Sequence, residues 1–254
     1  MTGAKPDDAR DGVLIIGAGG LGCAAALAAA AGGVRRIGVV DDDRVDASNV
    51  HRQVLHGTST VGQTKVVSLA AALGRRFPNV AVTTYNTHFD ASTAAALIAD
   101  YAVVVDGSDN FATKFVANDA AVLAGVPLVH GAAVGVGGQL LTVPANGHPC
   151  YRCLFEEMPP PGVGPSCAEA GVLGPVPGVI GALQGSEAAR IDRGETPAFI
   201  GRLIQYDSPS MNVRAVSFKP NPACRVCGPN PLIRHLDPAE YPGANCLPVS
   251  FTIG

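Results

Sequence analysis

The sequence predicts an α/β fold in which a parallel, helix-linked sheet runs on into antiparallel strands. Three observations carry this. Residues 13–41 read as one βαβ unit: an apolar β-branched run, a glycine-rich turn, an Ala-rich segment and a second apolar run. Apolar strand patterns then alternate with helical ones as far as His130. After that, Gly137–Val143 reads as a strand with no helix before it, so it pairs antiparallel with its neighbour.

Val13–Ile16 is the first strand. It meets Gly17-Ala18-Gly19-Gly20-Leu21-Gly22, where the glycines at 17, 19 and 22 fit G-x-G-x-x-G. They allow a sharp turn, close approach of backbone to phosphate and tight helix–strand packing. The helix over 21–31 then opens with free N–H groups and its positive dipole end facing an anion. The second run ends at Asp41, 19 residues after Gly22, where a carboxylate accepts bonds from ribose hydroxyls. Alone, this motif says nucleotide, with NAD or FAD the default.

Residues 41–53 are polar and aperiodic, a loop or short helix at the C-terminal edge of the sheet. Gly62-Gln63-Thr64-Lys65 opens a helix with Val66, Leu69, Ala70 and Leu73 on one face, closing near Phe77-Pro78. A strand over 80–85 and a short helix over 91–99 follow. The strand over 101–105 runs into Asp106-Gly107-Ser108-Asp109-Asn110. Phe111–Ala124 is helical, with Asp109 a candidate N-cap, and 127–130 is a strand. Residues 156–165 carry four prolines and two glycines and read as a loop. A helix over 172–193 has its first turns weakened by Gly174, Pro175, Pro177 and Gly178. Residues 202–206 and 213–218 form a hairpin.

The 254 residues are 47% apolar, enough for one large domain or a domain with a small appendage. Aromatics are 5% and Trp is absent, so the core is built of Ala, Val, Leu and Ile. A net charge of −3 argues against general nucleic-acid binding. Residues 1–12 lack the apolar core of a secretory signal, and 21–31 is too short to span a bilayer. Of seven cysteines, four form two C-x-x-C pairs, Cys150/Cys153 and Cys224/Cys227, separated by 70 residues. Four thiolates suit tetrahedral, structural Zn²⁺; the alternative is two unrelated redox or buried pairs. The expectation is a cytoplasmic protein.

Five signatures in order narrow the reading: GAGGLG (17–22), Asp41 followed by SNVHRQ (48–53), GQTK (62–65), GSDNFATK (107–114), and the C-x-x-C pairs enclosing CAEAGVLGPVPGVIG (167–181). Together they resemble the ThiF/MoeB/HesA family of ubiquitin-activating-enzyme-like adenylyltransferases, over roughly residues 12–230. The resemblance implies a Rossmann-like N-terminal half continuing into a mixed sheet, with the structural four-cysteine zinc site in the C-terminal half. It implies one adenylation domain over 1–254, with a nucleotide-binding half (12–135), a carrier-binding and zinc half (136–230) and a tail (231–254). The implied reaction is attack of the C-terminal Gly-Gly carboxylate of a ubiquitin-like sulfur-carrier protein on the α-phosphate of ATP. An acyl-adenylate and pyrophosphate result, ahead of thiocarboxylate formation.

Such a reaction requires cations and oriented N–H groups around a polyanion. The resemblance assigns the turn N–H groups (Gly17, Gly19, Gly20, Gly22) and Asn49, Arg52 and Lys65 to the phosphates, Asp41 to the ribose and Asp109 to Mg²⁺. Arg52, Lys65 and Asp109 are its catalytic set; Asp43, Gln53 and Asn110 are further nucleotide contacts. Arg52 supplies a bidentate fork and Lys65 a point charge, which suit a triphosphate better than a dinucleotide. His51 reads as incidental, Cys23 as core, and Cys246 has no assigned partner. In the thiamin branch the cysteine matching Cys167 links covalently to the carrier; an inert thiol is the alternative. The resemblance also implies a homodimer. Its usual Tyr-x-Arg-Gln segment has no counterpart in residues 1–12, where Arg10 is the nearby arginine, and Lys114 stands where Arg is more usual. Other readings are adenylation of a peptide or small-molecule carboxylate, and a non-catalytic partner subunit. An NAD-dependent oxidoreductase explains the glycine turn and nothing else.

Overall fold

The computed structural model describes residues 10–159 and 171–241. Cys167 and Cys246 lie outside them. The N-terminal half alternates β1 (Val13–Ile16), α1 (Gly20–Ala31), β2 (Arg36–Val40), α2 (Lys65–Arg76), β3 (Ala81–Tyr85), α3 (Ala94–Ile98), β4 (Val103–Asp106), α4 (Phe111–Ala124) and β5 (Leu128–Val134). Then come β6 (Gly137–Val143), α5 (Pro175–Asp192), β7 (Arg202–Asp207) and β8 (Asn212–Ser217). The strands form one sheet in the order β3-β2-β1-β4-β5-β6-β7-β8. β1 to β5 pair in parallel; β5 to β8 pair antiparallel.

Alternate strand residues feed two apolar layers. Leu14, Ile16 and Val104 face α3, α4 and the cysteine turns, while Val13, Ile15, Val103 and Val105 face α1 and α2. Each fully buried Val, Leu or Ile contributes about 1.5–3 kcal/mol. On α2 Val66, Leu69 and Leu73 are buried as expected, with Ala72 in place of the half-buried Ala70.

α1 is Ala-rich because it is pressed between the sheet and α5. A Cβ at Gly181 would stand 2.3 Å from Leu21 O, and one at Gly185 2.2 Å from Ala25 O. Small residues on both helices let the backbones meet.

Three boundaries differ from expectation. β5 runs on to Val134 because all its residues pair with β6. α5 starts at Pro175, and Val172 instead bridges Gly135 in parallel. The α4 cap is Asn110, whose Oδ1 accepts from Thr113 N at 2.8 Å; Asp109 is thereby left to the cleft.

Candidate active site

The strand order reverses between β1 and β4, and ligands of open α/β sheets bind in the crevice at that point. Here the turns after the two strands touch. Gly17 has φ +89°, and a Cβ on it would lie 2.9 Å from Gly107 O. A cleft of about 630 Å³ opens above them.

One wall is the glycine turn. Its N-cap residue, Gly19, has no side chain to occupy the first N–H groups of α1, and Gly19, Gly20 and Leu21 line the cleft. Gly22 does not line it; a Cβ there would sit 1.8 Å from Gly17 O, so this glycine sets the packing of turn on helix. Asp41 braces the turn by accepting from Ala18 N at 2.7 Å and Asp43 N at 2.8 Å. Burial raises the Asp41 pKa above the ordinary carboxylate value, although Lys65 and the two N–H donors oppose it. From behind, His56 Nε2 and Cys23 Sγ reach Ala18 O at 2.9 and 3.3 Å. Burial pushes the Cys23 thiol up to about 12, so it is an inert core group.

The cations come from the segment that packs against this turn and from the start of α2. Arg52 lines the cleft, and its Nη2 donates to Asn49 Oδ1 at 2.5 Å. Asn49 itself does not line the cleft; it holds Arg52. Lys65 begins α2, is buried, and donates to Asp43 Oδ2 at 2.6 Å. Burial opposes its charge, but Asp41, Asp43 and Asp109 outweigh burial and raise its pKa. Gln53 is buried against the glycine turn with Oε1 lacking a hydrogen-bond partner. Asp109 and Asn110 complete the lining from the β4 side, with Asp109 exposed. The glycine turn, Asp41, Arg52, Lys65 and Asp109 thus surround one volume.

The four C-x-x-C cysteines converge although 70 residues separate the pairs. Cys150 and Cys224 sulfurs are 3.6 Å apart, Cys153 and Cys227 3.3 Å, Cys150 and Cys153 4.0 Å. Tetrahedral zinc with bonds of about 2.3 Å spaces its sulfurs by about 3.8 Å, so the donor set fits structural Zn²⁺. The cluster sits under α4, where Arg152 clamps buried Asp119 with Nε and Nη2 at 2.8–3.0 Å and Tyr241 donates to Asp119 Oδ2 at 2.8 Å.

The ThiF family model matches residues 9–226. The chain belongs to the ThiF family. Among relatives of this ThiF-family protein, a sulfur carrier protein adenylyltransferase of Thermus thermophilus is 43% identical over 232 residues, covering 89% of this chain and 86% of its own. A SAMP-activating enzyme E1 of Haloferax volcanii is 45% identical over 216 residues, covering 85% and 80%. The adenylyltransferase and sulfurtransferase MOCS3 of Aedes aegypti is 42% identical over 228 residues, 89% of this chain but 52% of that one. The chain therefore spans about half the length of its MOCS3 relatives. In fold it is similar to Escherichia coli MccB, with TM-score 0.76, 20% identity, and 89% and 67% of the two chains covered.

The ThiF-family cleft holds residues that sequence reasoning passed over. Thr87, His88 and Phe89 line it directly after β3, and His88 Nδ1 lies 3.3 Å from Asp42. Their position at the C-terminal end of a parallel strand was the available signal. Val172 and Pro177 close the opposite rim. Beneath the floor, Asp106, Lys114 and His130 form a buried charged group, with His130 Nδ1 2.7 Å from Asp106 Oδ2. Burial disfavours charge on Asp106, but Lys114 and His130 hold its carboxyl well below the usual range. Burial and Lys114 lower the His130 pKa. Among the described residues no helix is long and apolar enough to cross a membrane.

Proposed function

We propose that this protein adenylates the C-terminal carboxylate of a ubiquitin-like sulfur-carrier protein, consuming ATP and releasing pyrophosphate. The observation that carries the proposal is the convergence of Arg52, Lys65 and Asp109 on the cleft of the glycine turn. A dinucleotide site needs no such cluster of cations facing a carboxylate. The named relatives support the substrate class.

In this reading Asp41 accepts from the ribose hydroxyls. The α1 N–H groups and Arg52 and Lys65 hold the phosphates, with Asn49 aiming the guanidinium. Gln53 and Asn110 add polar contacts, and Asp43 tempers Lys65. Asp109 would hold Mg²⁺, which supplies further neutralisation of the polyphosphate; an exposed carboxylate on the cleft offers the oxygen ligand that hard ion prefers. The carrier carboxylate is ionised at neutral pH, so its oxygen attacks the α-phosphorus without a general base. The new bond is carboxylate O–P; the bond to the bridging oxygen breaks and its electron pair leaves on pyrophosphate. Positioning and fixed charge carry the step. The protein acts as a homodimer in the cytoplasm, where reduced thiolates remain available to zinc.

Pyrophosphate–ATP exchange tests this with a panel of Gly-Gly-ended carriers, short peptides and small carboxylic acids. Exchange that requires a carrier supports the reading. Exchange driven by a peptide or small acid replaces the substrate class, and none at all makes the chain a non-catalytic subunit. Sedimentation velocity reports the dimer.

A further inference from the structure

The loop 107–110, which carries Asp109, is fixed by a residue that cannot reach the cleft. β4 ends at Asp106, and the last strand-like bond is Gly107 N to Ile16 O at 2.9 Å. After that the chain hangs on side chains. Asp106 Oδ1 accepts from Ser108 N at 2.9 Å and Ser108 Oγ at 2.5 Å. Lys114 Nζ, one helical turn into α4, donates to Ser108 O at 2.8 Å, Gly131 O at 2.7 Å and Asp106 Oδ2 at 3.3 Å.

These three acceptors use all three ammonium protons. Lys114 is 5% exposed, so it has neither the reach nor a free donor for a substrate. It joins the 107–110 loop to the start of the β5 extension, while Gln184 Nε2 holds the β4 and β5 ends from α5 by donating to Asp106 O and Val129 O. Gly107 and Ser108 are buried and Asn110 is committed to capping α4. Asp109 is the exposed residue of the four.

From this geometry we infer that Lys114 is a positioning residue: its ammonium sets the loop that presents the Asp109 carboxylate to the metal ion of the bound nucleotide. This rests on the metal role given to Asp109 above. Without the ammonium, Ser108 O and Gly131 O lose a charged donor and Asp106 loses a buried counter-charge, so the loop gains alternatives to the presenting conformation.

Calorimetric binding of a non-hydrolysable ATP analogue, with and without Mg²⁺, tests it directly on the full chain. In Lys114→Met, affinity for the metal-free analogue should stay within about twofold of wild type, while the gain on adding Mg²⁺ shrinks about tenfold. Lys114→Arg keeps charge and donors and should retain the gain to within about threefold. Ser108→Ala, which removes one small buried hydroxyl, should show the same metal-selective loss at about threefold and serves if Lys114→Met folds poorly. Equal losses with and without Mg²⁺ would reduce Lys114 to a structural residue and overturn the inference. So would an undiminished gain in either folded variant. Asp109→Ala separates the two claims. If it keeps the wild-type gain, the metal role itself falls; if it loses the gain while Lys114→Met keeps it, only the role of Lys114 falls.

Discussion

His56 donates from Nε2 to the carbonyl oxygen of Ala18 at 2.9 Å, the central residue of the glycine turn. A carbonyl only accepts, so Nε2 carries the proton, and Nδ1 accepts from Ser68 Oγ at 2.9 Å. The segment bearing Arg52 is thereby tied to the glycine turn. Burial lowers the His56 pKa, with Lys65 adding to the effect against the Ala18 bond. The ordinary value is about 6.5. Below it the unfolded chain binds a proton that the folded chain refuses, so stability falls as pH drops from about 6.5 through the folded pKa. His130 shares this direction. Urea unfolding across this range should show the slope, and His56→Gln should reduce it. An unchanged slope would mean that His56 takes up its proton equally in the folded and the unfolded chain. His56→Ala should cost about 1–3 kcal/mol at pH 7.5, because Ala18 O keeps only the weak Cys23 thiol donor and Ser68 Oγ loses its acceptor.

Lys65 offsets the charge of Asp41 and Asp43, which also line the cleft. Lys65→Met should lower ATP affinity about tenfold or more, because a charge-assisted contact is lost and two carboxylates are left facing the phosphates. Equilibrium dialysis with labelled ATP measures it. Wild-type affinity in the folded variant would remove Lys65 from the phosphate site.

Gly185 offers a test of the α1–α5 contact with opposed effects. Alanine gains about 1 kcal/mol over glycine inside a helix. The new Cβ would, however, stand 2.2 Å from Ala25 O, a backbone atom that cannot swing away. Gly185→Ala should therefore be destabilising, by about 1–3 kcal/mol in denaturant titration. A stabilised variant would show that the two helices part easily.

The cysteine cluster should bring one zinc per chain, read by elemental analysis of protein purified without added metal. Chelation, or Cys227→Ser, should lower the apparent thermal midpoint by about 10 °C or more. Metal-free protein of unchanged midpoint would count against a structural zinc.

The order of strands and helices was legible because apolar periodicity and glycine turns are local signals. Phe111–Ala124 and Gly137–Val143 fall where their patterns end. The cations of the site were legible through motif context, since a lone Lys65 or Arg52 reads as solvated surface. What stayed hidden depends on contacts distant in sequence. The pairing of Lys114 and Asp106 takes shape only where β5 brings Gly131 and His130 beside them. The role of Asn49 as a holder of Arg52 is a matter of side-chain direction, which spacing does not report. The start of α5 was misjudged because Val172 is drawn to Gly135 across the molecule.

The tether between Asn49 and Arg52 bears on association. A free arginine samples many rotamers, and ordering it around a ligand removes up to about 2 kcal/mol of that freedom. With Nη2 already fastened, much of this loss has occurred before any nucleotide arrives. Cutting the tether with Asn49→Ala would then leave the fork chemically intact yet costlier to order, a loss of affinity with no missing ligand contact.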